Sequence, residues 1–500
     1  MEVVGVDGET EMLKAIFLPF VSPGHLIPVV DIARIFAMHG VDVTIITTPA
    51  NVAVFQSSID RDSNGGHFIR THVVKFPQIA GLPEGMESIN ASTPKDMASK
   101  IYEGLSILEG KFRQLFRDMQ PDFIVTDMFY PWSVDAAAEL GIPRIIYVGG
   151  TYMAQSAMDS LERFAPHTKV DSDDHSFLLP GLPHKLEMTR SQIPDRFKVP
   201  NDAYAYQMKI IKESEKRSYG SLFNSFHELE GAYEEHYKTV MGTKSWNVGP
   251  VSAWVNQDAS DKAERGHTKV EQGWLTWLDS KKENSVVYVC FGSMNNFPAA
   301  QLVEIAHGLE ESGHDFIWVV KKIDESQDDG TGAFLEEFEK RVQGSNKGYV
   351  IWGWAPQLVI LEHPAIGGVV THCGMNTVLE TVDAALPMVT WPLFAEQFFN
   401  ERFLVDVLGI GVSVGSKKWS NWNEFGNEIV KREDIAKAIG LLMGDGEENL
   451  ERRRKVKALS DAAKKAIQPG GSSYNSLKGL IQELKSFKLQ KVHRKPEPVA

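Results

Sequence analysis

The stretch 354–397 places polar residues where a buried strand would give way to a helix. Residues 366–372 form a short, apolar and β-branched run, long enough for a buried parallel strand. The run ends at Cys373-Gly374, and a helical pattern starts near Asn376. Free backbone N–H groups and the positive end of a helix dipole converge at such a junction. The pattern therefore predicts an anion site, with phosphate as the expected ligand.

Apart from this anion site, His25 is a residue that could do chemistry. It lies in FVSPGHLIPVVDIA, at the turn between the first predicted strand and the first predicted helix. Ligands of open α/β sheets bind beyond the carboxyl ends of strands, and an imidazole there can take the proton of an attacking hydroxyl group. Asp127 ends the run FIVTD, and a buried carboxylate bonded to His25 would fix the imidazole tautomer. A packing histidine and an aspartate that caps a helix are the alternatives for this pair.

The anion site and the His25–Asp127 pair both require strands that end beside them. Apolar, strand-like runs alternate with amphipathic stretches along the chain. Helices are predicted at 25–39 and from about Trp132. Such alternation favours doubly wound parallel sheets. The sequence therefore predicts an α/β protein with two Rossmann-like domains, whose strands are 14–20, 41–48, 123–127 and 142–148 in the first half and 286–291, 316–320, 349–352, 366–372 and 387–391 in the second.

The polar stretch 254–273 has little apolar periodicity, which is typical of a linker or exposed loop. We place the boundary near Val251. The predicted division is an N-terminal domain at 1–250, a linker at 251–273, a C-terminal domain at 274–471 and a helical C-terminal segment at 472–500 whose tail frays after Lys491.

Composition excludes several classes of protein. The apolar fraction of 43% and the charged fraction of 24% are those of an ordinary globular protein, and a net charge of −14 argues against nucleic acid or an anionic membrane as the main partner. Cys290 and Cys373 lie in apolar runs and are expected to be reduced and buried. The acidic N-terminus does not resemble a signal peptide, and no run is long enough to span a membrane, so a cytoplasmic location is expected and the sequon at Asn90 is attributed to chance.

The stretch 354–397 resembles the signature box of the plant UDP-glycosyltransferases. It begins Trp-Ala-Pro-Gln and closes with an acid followed by glutamine, and the likeness covers the whole box and most of the chain. The stretches PDFIVTDMFYPWSVDAA and SYGSLFNSFHELE are similar to the legume enzymes of group D that glycosylate triterpenoid saponins.

This resemblance implies a GT-B fold, with the UDP-sugar in the C-terminal domain, the acceptor in the N-terminal domain and the C-terminal helix packed back on the first domain. It also implies a sugar transfer with inversion, in which His25 is the general base and Asp127 is its partner. UDP-sugar is then a co-substrate, with no cofactor and no metal. We expect a monomer that uses an apolar small-molecule acceptor, bound by loops at 76–82, 147–153 and 188–197.

For the donor, an indole at Trp354 can stack on uracil, while Trp352, two residues earlier, is expected to pack in the core. By resemblance, Ala355 and Gln357 contact the base or ribose, and Glu380 accepts from the ribose hydroxyls. A solvated helix acid is the alternative for Glu380, and a structural histidine is the alternative for His372. The groups expected around the diphosphate are Ser293, His372, Gly374, Met375, Asn376 and Thr377.

The sugar pocket departs from the family pattern at one position. Met375 stands where the family usually has tryptophan, which leaves a backbone contact possible but removes the indole from the sugar pocket. Glu396 and Gln397 resemble the pair that bonds the hydroxyls of the transferred sugar, and a terminal glutamine is associated with glucose. A glucuronate donor would need a cation, and the loop 21–24 contains none. Glucose is therefore the expected sugar.

A few other motifs in the sequence suggest metal binding or NAD binding. The Asp-x-Asp pairs at 60–62 and 171–173 could bind a metal, but both lie in polar stretches without a preceding strand, and two cysteines do not make a zinc site. The glycines at 409–415 resemble an NAD loop with the wrong spacing. A flavonoid acceptor, an NAD-dependent oxidoreductase and a non-catalytic small-molecule binder stay as alternatives, in that order.

Overall fold

The N-terminal half of the chain builds one parallel sheet. The computed structural model describes residues 12–90, 93–199, 203–256, 262, 273–321, 330–421 and 428–493. In these ranges the first half contains strands β1 (Lys14–Leu18), β2 (Asp42–Thr47), β3 (Ile69–Val73), β4 (Phe123–Asp127), β5 (Arg144–Val148), β6 (Ser176–Leu178), β7 (Glu187–Thr189), β8 (Gly220–Phe223) and β9 (Ser245–Asn247). Seven of these strands form a sheet in the order β3-β2-β1-β4-β5-β8-β9, and β6 pairs with β7 in antiparallel fashion.

Helices cover both faces of this sheet. The first of them begins after Ser22, which is extended, because Pro23 has the fixed φ that suits the first helical position. The helix that begins after Thr151 is capped by the threonine side chain, which accepts a hydrogen bond from the Ala154 backbone. The helices are α1 (Pro23–Met38), α2 (Pro49–Val52), α3 (Gln56–Asn64), α4 (Lys95–Met119), α5 (Ser133–Leu140), α6 (Tyr152–Phe164), α7 (Ala203–Lys216), α8 (His227–Thr239) and α9 (Val251–Val255).

The second half repeats this architecture. Its strands are β10 (Val286–Cys290), β11 (Asp315–Val320), β12 (Gly348–Trp352), β13 (Ile366–Thr371), β14 (Met388–Thr390) and β15 (Gly411–Ser413), paired in parallel in the order β12-β11-β10-β13-β14-β15. Its helices are α10 (Gly273–Asp279), α11 (Ala299–Glu311), α12 (Thr331–Gly344), α13 (Gln357–Leu361), α14 (Met375–Asp383), α15 (Gln397–Arg402), α16 (Arg432–Met443), α17 (Glu447–Ala466) and α18 (Ser472–His493). The predicted α/β class with two Rossmann-like domains is confirmed.

Each sheet has one point where the strand order reverses. In the first sheet the chain runs outward from β1 to β3 and then returns to place β4 on the other side of β1. In the second sheet β10 lies between β11 and β13 in the same way. The loops after two neighbouring strands leave in opposite directions at such a point, which opens a crevice at their carboxyl ends. The two crevices are where a ligand site is expected.

The C-terminal helix α18 packs on the first sheet. Leu477, Leu480 and Leu484 are buried in the same apolar cluster as Phe17 of β1. The ammonium group of Lys488 lies 3.0 Å from the Asp122 carboxylate, just before β4. The chain therefore returns to its N-terminal domain after completing the C-terminal one.

A second apolar cluster joins the two domains. It contains Tyr152 and Phe226 from the first half and Met375, Phe399 and Phe403 from the second, all buried. Burial of apolar surface between the domains favours the assembled arrangement.

The region between the domains is described in part. Residues 251–255 of the predicted linker form helix α9, in which Val251 and Trp254 are buried in the cluster of the first sheet. Residues 257–261 and 263–272 lie outside the described part of the chain, as do residues 91–92 of the sequon and the tail after 493. The division into domains by residue number therefore stays a prediction.

Three side chains differ from their sequence-based expectations. Asp60 and Asp62 lie on α3 and not in a loop, and the Asp62 carboxylate is buried against Arg34 with an N–O distance of 2.5 Å. The helix was hidden because QSSIDRDSN contains one apolar residue. Cys290 is only partly buried, whereas Cys373 is fully buried, and both thiols are free. Trp352 packs against the apolar cluster of the second sheet, as expected, and its indole N–H donates to Glu339 at 2.8 Å.

Candidate functional site

His25 and Asp127 meet at the reversal point of the first sheet. His25 lies in the first turn of α1, which follows β1, and Asp127 is the last residue of the neighbouring strand β4. The imidazole Nδ1 is 2.8 Å from an Asp127 carboxylate oxygen, and the other oxygen accepts from the Phe129 backbone N–H at 3.0 Å. The Asp127 side chain is fully buried, while that of His25 is 23% exposed. With the proton on Nδ1, the lone pair of Nε2 is available to accept a proton.

The imidazole is held by close packing as well as by Asp127. A Cβ atom added to Gly149, the residue after β5, would lie 2.4 Å from Cε1 of His25, so only glycine fits there. The rings of Phe129 and Phe20 lie 5.1 and 6.0 Å from the imidazole, measured between centroids. Sequence reasoning missed Gly149, because its contact with His25 is made between two strands that are far apart in the chain.

Burial and the neighbouring carboxylates shift the pKa of His25 in opposite directions. Burial lowers the pKa of His25, but the Asp127 carboxylate, through its charge and its hydrogen bond, and the charge of Glu396 together raise that pKa above its ordinary value. Burial raises the pKa of Glu396, against the opposing charge of His25. Glu396 belongs to the C-terminal domain, so the two domains share this electrostatic interaction.

His372 lies at the reversal point of the second sheet. It follows β13, and its ring lies between Gly292 and Gly374, where added Cβ atoms would come within 2.6 and 2.4 Å of the ring. Burial lowers the pKa of His372 to about 4, so the ring is neutral near pH 7. Its Nδ1 atom is buried without a hydrogen-bond partner among the described residues. A neutral imidazole in this position can donate one N–H to an anion.

The other residues predicted around a diphosphate surround His372. Ser293 lies in the loop after β10, next to β13, and is half-buried. Met375 and Thr377 are buried in the first turn of α14, whose N-terminus points its backbone N–H groups toward this loop. Cys373 has a positive φ of 67°, which turns the chain sharply between β13 and α14. The predicted strand-to-helix junction is therefore present, and the helix starts at Met375.

Asn376 reaches out of the C-terminal domain. Its amide nitrogen donates to the carbonyl oxygen of Gly24 at 2.8 Å, and its oxygen accepts from the Asn224 amide at 3.2 Å. The sequence predicted this side chain beside the diphosphate, whereas here it contacts the loop that carries His25. Asn224 was not singled out from the sequence, since nothing local marks it.

A hydrogen-bonded group lies at the start of α13 and along α14. Gln357 donates to the Glu380 carboxylate at 2.6 Å and accepts from the Tyr288 hydroxyl at 3.3 Å. Ala355 is buried, and its carbonyl oxygen accepts from the Gln357 backbone N–H at 2.8 Å. Trp354 is half-buried beside them in the loop after β12. A planar indole next to a carboxylate and an amide can hold a nucleoside, with the base on the indole and the ribose on the acid.

Glu396 ends the loop after β14 and Gln397 begins α15, across the interface from the first sheet. A Cβ atom added to Gly150 would lie 3.7 Å from Cγ of Glu396. The Gln397 side-chain oxygen accepts from the backbone N–H groups of Leu393 and Phe394 at 3.0 and 3.1 Å. This arrangement aims the Gln397 amide N–H groups away from that loop, where they can donate to a hydroxyl oxygen.

Asn400 is a further polar residue at this interface that the sequence did not reveal. Its amide donates to the Cys373 carbonyl at 2.9 Å, and its oxygen accepts from the Thr151 hydroxyl at 3.1 Å. A weaker contact of 3.5 Å joins it to Glu396. Asn400 and Thr151 are almost completely buried, so these bonds link the domains away from water.

A cavity lies in the N-terminal domain between β5, α6 and α7. Met128, the residue after Asp127, lines it, as does Gln155, which lies 3.7 Å from a Cβ atom built on Gly150. The exposed wall surface is mostly apolar, although five lining residues are charged; besides Met128 and Gln155 the lining residues are Ile146, Val148, Met158, Asp159, Glu162, Arg196, Met208, Ile211, Lys212 and Glu215.

Neither a metal-binding cluster nor a membrane-spanning helix is found among the described residues. The described residues contain no group of three or more His, Cys, Asp or Glu side chains that could hold a metal ion. Of the Asp-x-Asp pairs, Asp62 is paired with Arg34 and Asp173 with Arg190. No helix within the described ranges combines the length and the apolarity that crossing a bilayer requires.

The chain is similar to known proteins over most of its length. The profile of the family described as "UDP-glucoronosyl and UDP-glucosyl transferase" matches residues 184–423. The chain is 62% identical over 490 residues to soyasapogenol B glucuronide galactosyltransferase of Glycine max, covering 97% of this chain and 98% of the relative. It is 45% identical to UDP-glucosyl transferase 73DL1 of Saponaria officinalis, covering 95% and 96% of the two chains.

Solved structures show the same architecture. The crystal structure of UGT73P12 of Glycyrrhiza uralensis, complexed with glycyrrhetinic acid 3-O-monoglucuronide, is 68% identical and superposes with a TM-score of 0.94, covering 96% of this chain and 97% of that one. UGT89C1 of Arabidopsis thaliana, complexed with UDP-L-rhamnose, is 27% identical with a TM-score of 0.73, covering 95% and 100%. The predicted GT-B arrangement and the predicted transferase activity are thus confirmed, and the chain belongs to the UDP-glucoronosyl and UDP-glucosyl transferase family as a plant UDP-glycosyltransferase of secondary metabolism.

Proposed function

We propose that this enzyme transfers a hexose from a UDP-hexose to a hydroxyl group of a triterpenoid glucuronide, with inversion and without a metal ion. The observation that carries the proposal is the position of the His25–Asp127 pair, 2.8 Å apart and across the interface from Glu396. A base and an acid that we assign to the transferred sugar thus face each other between the domains, and we assign the acceptor to the cavity that begins at Met128, the residue after Asp127.

The reaction follows from this geometry. Nε2 of His25 takes the proton of the acceptor hydroxyl while the oxygen attacks the anomeric carbon from the face opposite UDP. The bond from that carbon to the UDP oxygen breaks, UDP leaves as an anion, and the configuration inverts. The Asp127 carboxylate holds Nδ1–H and stabilises the imidazolium that forms. Donors aimed at the phosphates stabilise the charge that develops on UDP.

The donor is assigned to the crevice of the second sheet. Trp354 stacks on uracil, Ala355 and Gln357 contact the base or ribose, and the Glu380 carboxylate accepts from the ribose hydroxyls. His372, with its buried and unpaired Nδ1, and the N-terminus of α14 hold the diphosphate together with Ser293, Gly374, Met375, Asn376 and Thr377. This set supplies N–H and O–H donors in place of a cation, so we propose that no metal is required.

The acceptor class rests on the relatives and on the cavity. The Glycine max relative is named for a soyasapogenol B glucuronide, and the Glycyrrhiza uralensis structure holds a triterpenoid monoglucuronide. The apolar wall, including Met128, Met158 and Met208, suits a large hydrophobic aglycone, because flexible thioethers adapt to bulky ligands. The same wall could accept a flavonoid, which is why both acceptors enter the test below.

The transferred sugar has two candidates. Gln397 favours glucose, because a glutamine at the end of the box is associated with glucose in this family; its side-chain oxygen is occupied by the backbone N–H groups of Leu393 and Phe394, which leaves its amide N–H groups to donate to a sugar hydroxyl. The name of the Glycine max relative favours galactose. Met375 is buried at the start of α14, at the position where the family usually has tryptophan. Its side chain is therefore the first to test for an effect on the choice between the two sugars. We propose glucose first, with a monomeric enzyme acting in the cytoplasm.

One experiment tests these assignments together. UDP release is measured with a triterpenoid monoglucuronide and, separately, with quercetin, each against UDP-glucose, UDP-galactose, UDP-glucuronate and UDP-arabinose, with and without EDTA. Turnover of the glucuronide with UDP-glucose, unaffected by EDTA, is the expected result. Preference for UDP-galactose would overturn the role given to Gln397, and turnover of quercetin alone would overturn the acceptor class.

A further inference from the structure

The cavity between β5, α6 and α7 is lined by a cation that is better buried than its counter-ion. The Arg196 guanidinium donates to Glu162 at 3.2 Å, and the side chains are 12% and 44% exposed, respectively. An ion pair whose acidic partner is open to water contributes little stability, because the carboxylate loses little on returning to solvent. Glu162 can therefore be replaced by another anion at little cost.

The other charged residues of the lining are engaged differently. Lys212 lies 3.1 Å from the carboxylate of Glu215, which is only 5% exposed, so this ammonium group neutralises a buried charge. Asp159 is paired with Arg163 at 3.2 Å. Arg196 is thus the lining cation whose partner lies at the surface.

The guanidinium of Arg196 is held in a fixed orientation. Its central carbon lies 4.1 Å from the centroid of the Phe197 ring, and one terminal nitrogen lies 3.0 Å from the Met158 sulfur. A guanidinium has five N–H donors in a planar fork that matches a carboxylate in a bidentate manner. A fork that is fixed in advance loses less conformational entropy when it binds.

We infer that Arg196 is a specificity-determining residue that binds the carboxylate of a uronic acid carried by the acceptor. This inference rests on the proposed function, because it concerns the acceptor cavity of that reaction. The uronate carboxylate displaces Glu162 from the fork, while the aglycone lies on the methionine-lined wall. A neutral sugar at the same place would leave Arg196 paired with Glu162 and gain no charge-assisted bond. Discrimination between a glucuronide and a glucoside of one aglycone is the consequence.

The test compares two acceptors that differ only in this carboxylate. KM and kcat are measured for a triterpenoid monoglucuronide and for the monoglucoside of the same triterpenoid, with wild type, R196Q, R196K and E162Q. R196Q is expected to raise KM for the glucuronide by about tenfold to a hundredfold, the effect of losing a charge-assisted hydrogen bond, and to leave the glucoside unchanged. R196K should recover only part of the loss, since an ammonium group lacks the fork. E162Q should lower KM for the glucuronide, because the competing anion is gone.

The matched control is R163Q, which removes a guanidinium from a more exposed position on α6 outside the cavity lining and should change neither acceptor. Equal losses for glucuronide and glucoside in R196Q would make Arg196 structural and overturn the inference, as would an unchanged KM. Calorimetric binding of the glucuronide separates this question from catalysis. Binding by wild type but not by R196Q, without turnover, supports Arg196 while overturning the proposed reaction; no binding by wild type overturns the inference.

Discussion

The side-chain amide of Asn376 donates a hydrogen bond to the carbonyl oxygen of Gly24, the residue that precedes His25, at 2.8 Å. The two residues belong to different domains, and each lies in the first turn of the helix that follows a strand at the reversal point of its sheet. The helix start assigned to phosphate is therefore bonded directly to the helix start that carries the base. The Asn224 amide, 3.2 Å from the Asn376 oxygen, completes the link on the side of the N-terminal domain.

Separate replacement of Asn224 and Asn376 distinguishes the effect of this interdomain hydrogen bond on turnover from an effect on phosphate binding. We expect N224A to lower kcat severalfold with little change in the Kd of UDP, because it removes hydrogen bonds each worth about 1 kcal/mol without replacing any residue assigned to the donor. N376A should lower kcat at least as much. Steady-state kinetics and UDP calorimetry provide the measurement. If N376A weakens UDP binding while N224A has no effect on kcat, the interdomain bond plays no part in turnover.

Removing the base should abolish transfer and spare the donor site. H25A is expected to lower kcat by about 10²- to 10⁴-fold, the usual contribution of a general base, while the Kd of UDP stays within a factor of two. UDP release and UDP calorimetry are measured on the same preparation. Wild-type activity in H25A would exclude His25 as the base.

The pH profile of kcat/KM should carry an acid limb set by His25. The base must be deprotonated to act, and because Asp127 and Glu396 raise the pKa of His25 above its ordinary value, despite the opposite effect of burial, activity should fall as the pH drops through a midpoint above 6.5. D127N removes a charge that raises the pKa of His25 but leaves the imidazole buried, so the acid limb of this variant should move to lower pH. Its maximal rate should also fall by about 10²-fold or more, because the tautomer is no longer fixed. An acid limb that does not move in D127N would contradict this assignment.

The space beside the imidazole can be probed with a single methyl group. G149A would place Cβ 2.4 Å from Cε1 of His25, so the ring must turn away from its productive position. We expect kcat to fall by about tenfold to a hundredfold, with UDP affinity unchanged. G110A is the control, since Gly110 lies on the exposed face of α4 with nothing within 4 Å of an added Cβ, and it should be neutral or slightly stabilising. Equal kinetics in both variants would show that the ring tolerates displacement.

Trp354 and Trp352 offer a matched pair for the uracil platform. W354A should weaken UDP binding by about tenfold to a hundredfold, the effect of losing one aromatic stack on a base. W354F should retain most of the affinity. W352F is the control, because the Trp352 indole packs on the cluster of the second sheet and donates to Glu339. Weaker UDP binding in W352F than in W354A would exchange the two roles.

Local sequence patterns were sufficient for the parts of the site that follow a strand directly. Strands such as Val286–Cys290 and Ile366–Thr371 are continuous apolar runs because both faces of a parallel sheet are buried, and they place Ser293 and His372 at neighbouring ends. Edge strand β3, IRTHV, was not predicted, because it has only one fully buried residue and so lacks that signal.

The contacts between domains could not be predicted in the same way. Asn400 meets Thr151, and Asn376 meets Gly24, only once the two sheets face each other, and no local pattern encodes that orientation. The same holds for Gly149 and Arg196, whose importance depends on what lies opposite them. Resemblance to a family supplied roles for the residues of the box, but it did not supply these contacts between distant parts of the chain.

The return of α18 to the first sheet has a consequence for hybrid enzymes. A chimera that exchanges donor halves at a single crossover between the domains would bring a foreign helix against Phe17 and Leu222, and would break the Lys488–Asp122 ion pair. Two crossovers, with residues 472–493 kept from the parent that supplies the first half, leave that packing native. Recombination of acceptor and donor preferences is therefore expected to succeed as an insertion of the second half into the first, and to fail as a simple head-to-tail fusion.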